Sequence, residues 1–271
     1  HILQSSRLKN IIILILLLTN LSLAAVVVNR QADRQEGLEQ VRQQLVTLFA
    51  AENVELDEDL ISSQTPPLSR TLTRDTQQEE DLAAFLLGKN LRWSDQGGGI
   101  HLYGSDRGGV QFLDNGSFDA AGSLSEGTSA PEVCRAFCKE FGYGDLTFSS
   151  DGTSATAVQY CDGYPVVNCT VSFTLDSGGL LTVTGTHLPD AYTESAPEEA
   201  PLSAAAALDA FLTNHRKSQT AVSKITDVYL CFELQSSASA AMTLVPAWCI
   251  VTDISGLNYY VNCITGAVTH S

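Results

Sequence analysis

Two stretches of this chain carry the same order of local signals, a capped amphipathic helix followed by alternating strands. That order limits the folds open to it. Ser129, Pro131 and Glu132 form a helix start: a serine able to cap, a proline at an early position and an early acid. Val133 and Phe137 recur on one face, and Gly142 follows Phe141 as a stop signal. Strand-like runs come next at 154–160, 166–175 and 180–187, separated by turns at Asp162-Gly163 and at Asp176 to Gly179. From Ser203 to His215 the helix signal returns, with Leu208, Phe211 and Leu212 on one face. Strands then read at 225–234, 243–253, 258–263 and 267–269. A helix with one apolar face and strands of alternating polarity bury those faces against each other, an α+β arrangement. The expected units are residues 126–192 and 203–271, joined by an acidic, proline-containing linker at 193–202. Val133, Phe137, Val167 and Phe173 should be buried in the first, with Phe211, Leu212, Trp248 and Val261 in the second.

The N-terminal part reads differently. Residues 11–28 carry no charge, a length that covers most of a bilayer's roughly 30 Å hydrocarbon core. Arg7 and Lys9 precede the run without an acid among them, so the positive-inside rule gives a cytoplasmic stub at 1–10, a transmembrane anchor at 11–29 and an extracytoplasmic remainder. Ser22, Leu23 and Ala24 leave open a cleaved secretory signal instead. Residues 30–125 form an N-terminal subdomain of helices and hairpins. Leu38, Val41, Leu45, Leu48 and Phe49 mark an amphipathic helix over 33–52. A second helix spans 75–87, with Asp75 as N-cap and Gly88 as C-cap, and the glycine-rich 97–122 reads as hairpins. The expected fold is therefore α+β: an N-terminal transmembrane helix followed by tandem helix-plus-antiparallel-sheet units.

Chemistry is sparse. A formal net charge of -16 disfavours nucleic acid and anionic headgroups as partners. His101, His187 and His215 lie in no motif with a Ser or Cys nucleophile, and the seven cysteines lack the paired spacing of a zinc site. They are either free core thiols or paired as Cys161 with Cys169 or Cys249 with Cys263. Asp57 and Asp59 lack the spacing of a calcium loop. Gly104 to Gly109 has neither the lysine nor the following helix of a phosphate loop, and reads as a hairpin turn. No catalytic, cofactor-binding or metal residue is assigned, no cofactor is expected, and the partner-binding surface is unknown. Trp248, Tyr259 and Tyr260 read as core aromatics.

Pro246, Trp248, Tyr259, Val261, Asn262, Thr265, Gly266 and Val268 follow a P-x-W … Y-x-V-N-x-x-T-G-x-V ending. It resembles the C-terminus of the YycI and YycH-type extracytoplasmic regulators and of related PepSY-like modules. Gln159, Gly163, Pro165 and Val166 look like an earlier copy of the same strand pair. The resemblance implies a single-pass, N-in membrane protein that is not an enzyme. It would bind and modulate a membrane sensor histidine kinase of a two-component system in cell-wall homeostasis. The alternative is a PepSY-like inhibitory or binding module acting on an exported hydrolase or peptide.

Overall fold

A computed structural model describes residues 2–125, 127–237 and 240–271, and gives the side chains of residues 15–24, 36–125, 127–236 and 241–271. Two compact units divide the chain, His1–Ile61 and Ser62–Ser271. The first consists of α1 (Ile2–Ala51), a turn at Asn53 with φ 60°, and a short 3-10 helix at Glu58–Leu60. Asp57 caps that short helix by accepting the Asp59 N–H at 3.0 Å, which accounts for the acidic run there. Of the apolar stripe expected over 33–52, Leu45 and Phe49 are buried while Leu38, Val41 and Leu48 are exposed.

The expected transmembrane helix is not part of this fold. Among the described residues, no helix is long and apolar enough to cross a membrane. The described side chains of the apolar run are those of residues 15–24. Arg7, Lys9 and Arg30, and residues 11–14 and 25–28, lie outside the described side chains.

In the second unit β1 (Ser69–Leu72) comes first, and the same succession of elements then occurs three times. α2 (Thr76–Leu87) leads into β2 (Arg92–Asp95), β3 (His101–Ser105), β4 (Gly108–Phe112) and β5 (Ser117–Ser123). α3 (Ala130–Phe141) leads into β6 (Tyr143–Phe148), β7 (Ser154–Cys161), β8 (Tyr164–Leu175) and β9 (Leu180–Thr186). After β10 (Tyr192–Ser195), α4 (Ala204–Ser218) leads into β11 (Ile225–Ser237), β12 (Ala240–Thr252), β13 (Asn258–Asn262) and β14 (Val268–His270). Each helix starts on a capping side chain: Asp75 accepts from Gln77 and Gln78, Ser129 from Glu132, and Ser203 from Ala206.

These strands do not make separate tandem sheets, which corrects the expected fold class. Among the described residues they form one mixed sheet of 14 strands carrying a few helices. The first two meanders join through their last strands, β5 antiparallel to β9 from Ser117↔Thr186 to Ser123↔Leu180. β8 then runs parallel to β11 at Phe232↔Val166. Just beyond, the Asn168 side chain takes over the role of a strand. Its Oδ1 accepts the Leu234 N–H at 2.7 Å and its Nδ2 donates to the Leu234 carbonyl at 2.8 Å. One edge of β12 is shared along its length with β11, and the other is divided between β13 and β1. β10, which runs from the end of the expected first unit into the expected linker, pairs with β1.

α2 and α3 pack in one core with the sheet formed by the first two meanders. Phe137, fully buried, is its centre. Its ring lies 5.8 Å from Phe85, 4.9 Å from Phe141, 5.7 Å from Tyr143 and 5.4 Å from Phe173. The buried face of α3 is Ala130, Cys134, Phe137 and Cys138, so Val133 falls on its flank and is half-buried. Val167 is also half-buried. A bulge shifts the facing of β8, because Pro165 opposes Tyr160 and Thr170 opposes Val158, leaving four residues of β8 against one of β7. Val166 and Cys169 are the buried residues there. In the third repeat Phe211, Leu212, Trp248 and Val261 are all fully buried, and the Trp248 Nε1–H donates to the Leu202 carbonyl at 2.8 Å.

Truncating the central ring tests this packing. Phe137→Ala should lower the unfolding free energy by about 3–5 kcal/mol in urea titrations, and Val133→Ala by less than half of that.

Candidate functional site

A cleft opens where β8 leaves the first two meanders and meets β11, because the strands share a single bridge and then diverge. Its volume is about 650 Å³. Four tyrosines line it: Tyr160 and Tyr164 from the β7–β8 hairpin, and Tyr229 and Tyr260 from β11 and β13. The hairpin turn is Asp162-Gly163 with φ 47° and 82°, both positive as a tight two-residue turn requires. Tyr160 is fixed twice. Its hydroxyl donates to Asp145 Oδ2 at 2.6 Å, and its ring covers Gly144, where a Cβ would lie 2.7 Å from Tyr160 Cε2.

On the other wall Tyr229 stands opposite Cys249, and Cys249 opposite Tyr260, so the three side chains form a row across β11, β12 and β13. Strand alternation puts Tyr259 on the opposite face, buried against Phe211 with ring centroids 4.9 Å apart. The hydrogen bond to Asp145, followed by burial, pushes the Tyr160 phenol up to about 12. Burial raises Tyr229, helped by its contact with Cys249, and burial raises Tyr260. These three phenols therefore keep their protons at neutral pH. Each offers an apolar face, and because the Tyr160 proton is given to Asp145 its oxygen is left to accept.

The hairpin wall is held from behind by Arg70 of β1, which is 5% exposed. Its guanidinium pairs with Asp162 at 2.6 Å and Glu194 at 3.4 Å and donates to Cys161 Sγ at 2.9 Å. It also sits 4.2 Å from the Tyr192 ring centroid and 5.3 Å from that of Phe232. Asp162 and Glu194 are half-exposed, so the value of Arg70 lies in fixing the hairpin tip against β1 and β10.

The histidines occupy three separate environments. His101 Nδ1 lies 2.8 Å from Glu79, which also takes the Arg74 Nε–H at 2.6 Å, tying the start of α2 to β3. His215 Nδ1 lies 2.7 Å from the Thr220 hydroxyl in the last turn of α4. His187 is buried beside Phe141 with neither ring nitrogen hydrogen-bonded. All seven cysteines are free, so neither Cys161–Cys169 nor Cys249–Cys263 is a disulfide. Six are buried, and burial pushes Cys134, Cys138 and Cys249 up to about 11 and Cys169 and Cys263 up to about 12, leaving them protonated and inert. Among the described residues no group of three or more His, Cys, Asp or Glu is placed to hold a metal ion.

Sequence reasoning placed Trp248 and Tyr259 in the core, where they are, but also placed Tyr260 there, and it overlooked Tyr160, Tyr164 and Tyr229 as a set. Alternation along 258–262 carried the signal for Tyr260. Nothing local brings Tyr160 to Tyr229.

No family model and no curated protein matches the chain. Among solved structures it is similar to an uncharacterized protein from Eubacterium rectale, 12% identical with a TM-score of 0.46, over 76% of this chain and 86% of that one. That likeness supports neither a function nor the resemblance to the YycI type.

Two predictions follow from this geometry. Asn168→Ala removes the side chain that bridges β8 to Leu234, and should cost about 1 kcal/mol in chemical denaturation while raising amide exchange at 232–235. Burial holds the His187 imidazole down to about 4 from its ordinary 6.5, partly offset by Glu79. Between those pH values the unfolded chain binds a proton that the folded chain refuses, so stability falls as pH drops through this window, by about 3 kcal/mol at most. Thermal melts at pH 7 and pH 4.5 should show this loss in the parent chain and a smaller one in His187→Phe.

Proposed function

We propose that this protein is a non-enzymatic accessory regulator, acting outside the cell membrane, that receives a segment of a partner protein in its tyrosine cleft. The single observation that carries the reading is the cleft itself, about 650 Å³ and lined by Tyr160, Tyr164, Tyr229 and Tyr260. Its aromatics are only partly buried: Tyr164 packs on Phe232, and Tyr229 and Tyr260 on Cys231, Ala247 and Cys249, while each still lines the cleft. Tyrosines of this kind supply rigid contact area at little entropic cost and pair with backbone amides through their hydroxyls. A cleft between two diverging strands suits an extended segment better than a flat surface does.

By the YycI-type resemblance, the partner is a membrane sensor histidine kinase of a two-component system, whose signalling in cell-wall homeostasis the protein would modulate. The acidic balance, -16, steers it away from anionic lipid and nucleic acid and toward neutral or basic protein segments. Location outside the membrane rests on the uncharged residues 11–28 serving as an export signal.

The test is a photo-crosslinking amino acid placed at Tyr164 or Tyr260 in cells, with the captured protein identified by mass spectrometry. A membrane sensor kinase is the expected product, and Tyr229→Ala should reduce capture at least fivefold with the melting temperature within a few degrees of the parent. Capture of an exported hydrolase would favour the PepSY-like inhibitory reading. Turnover of peptidoglycan by the purified protein would overturn both.

A further inference from the structure

A second cavity lies between α2 and α3, over the seam of β5 and β9. It occupies about 310 Å³, at the small end of the range for small-molecule sites. Small side chains make the room: Ala120 and Gly122 of β5 lie beneath it, and a Cβ on Gly122 would come within 3.1 Å of Leu87 Cδ2. Phe85 of α2 and Val133 of α3 form apolar walls.

Two opposite charges border this apolar slot. Arg107, in the β3–β4 turn, donates from Nε and Nη2 to the Ser123 carbonyl at 3.3 and 3.1 Å, which fixes the guanidinium and leaves Nη1 without a hydrogen bond among the described residues. Glu132 stands exposed in the first turn of α3. Among the described residues neither takes part in a salt bridge. A fixed cation and a carboxylate on the border of one apolar pocket match a zwitterion with an apolar tail. A fatty acid would set its carboxylate on Arg107 and leave Glu132 without a counter-charge in the groove, and an apolar amine would set its ammonium on Glu132 and leave Arg107 without one.

We infer that this groove binds a free α-amino acid with a compact apolar side chain, its carboxylate on Arg107, its ammonium on Glu132 and its side chain between Phe85 and Val133. The site is separate from the tyrosine cleft and does not depend on the function proposed for it.

Isothermal titration of the full chain with leucine and with phenylalanine tests the inference, beside 4-methylvalerate, which lacks the ammonium, and leucine amide, which lacks the carboxylate. Saturable binding of at least one of the two amino acids is expected, with both leucine analogues at least about tenfold weaker than the amino acid. Arg107→Gln and Glu132→Gln should each weaken that binding at least about tenfold while their unliganded melting temperatures stay near the parent's. Because Glu132 is an exposed side chain, its variant tests the site without touching the core. Absence of saturable binding by both amino acids would overturn the inference, as would 4-methylvalerate binding as tightly as leucine, or unchanged affinity in Glu132→Gln.

Discussion

A meander of four strands ends in an edge whose N–H and C=O groups find no partner inside the meander, and such an edge pairs with the next strand that can reach it. Here β5 and β9 pair with each other over seven residues of β5, Ser117 to Ser123. This turns two helix-plus-meander repeats into one sheet with both helices in one core, and gives Phe137 rings from both repeats to pack on. Close approach of neighbouring strands within each meander sets the side chains the sheet tolerates. A Cβ on Gly185 of β9 would lie 2.2 Å from the Thr170 carbonyl oxygen, and one on Gly108 of β4 would lie 1.9 Å from that of Ala121. Both cavities lie at seams between repeats, one over β5 and β9 and the other beside β8 and β11.

Much of the local structure was legible. Asp75, Ser129 and Ser203 cap their helices as their residue types suggest, and Gly142 ends α3 in the left-handed region at φ 73°. What escaped was short, polar or non-local. β2 and β10 are exposed at every position, so no alternation marks them, and β1 buries Arg70, which reads as a surface residue until Asp162, Glu194 and Cys161 are seen around it. The glycine-rich segment from Gly97 to Gly122 read as hairpins of a separate N-terminal subdomain. Its strands nevertheless follow α2 as the others follow α3 and α4, and some of its glycines answer to the crowding at Gly108 and Gly122 rather than to loops. The apolar run at 11–28 was read as a membrane span on its length, its lack of charge and the flanking Arg7 and Lys9.

The binding cleft was less legible than the fold, for a physical reason. Tyr229 and Tyr260 share a face only because both register with Cys249, and they meet the β7–β8 hairpin only because β8 bulges between Pro165 and Thr170 and pairs with β11 at one residue. Parity within one strand is written locally, but pairing between repeats is not. The same holds for Arg107 and Glu132, whose shared groove exists only once α2 and α3 lie on one sheet.

Native-state hydrogen exchange at the β5–β9 seam tests the central claim most directly. If edge pairing makes the first two repeats one body, the amides of 117–123 and 180–186 that bond across the seam should exchange only by global unfolding, with the same free energy as the core strand 169–173. Exchange of the seam amides at markedly lower free energy than that core would show two repeats that fold apart and merely touch, and would contradict the account.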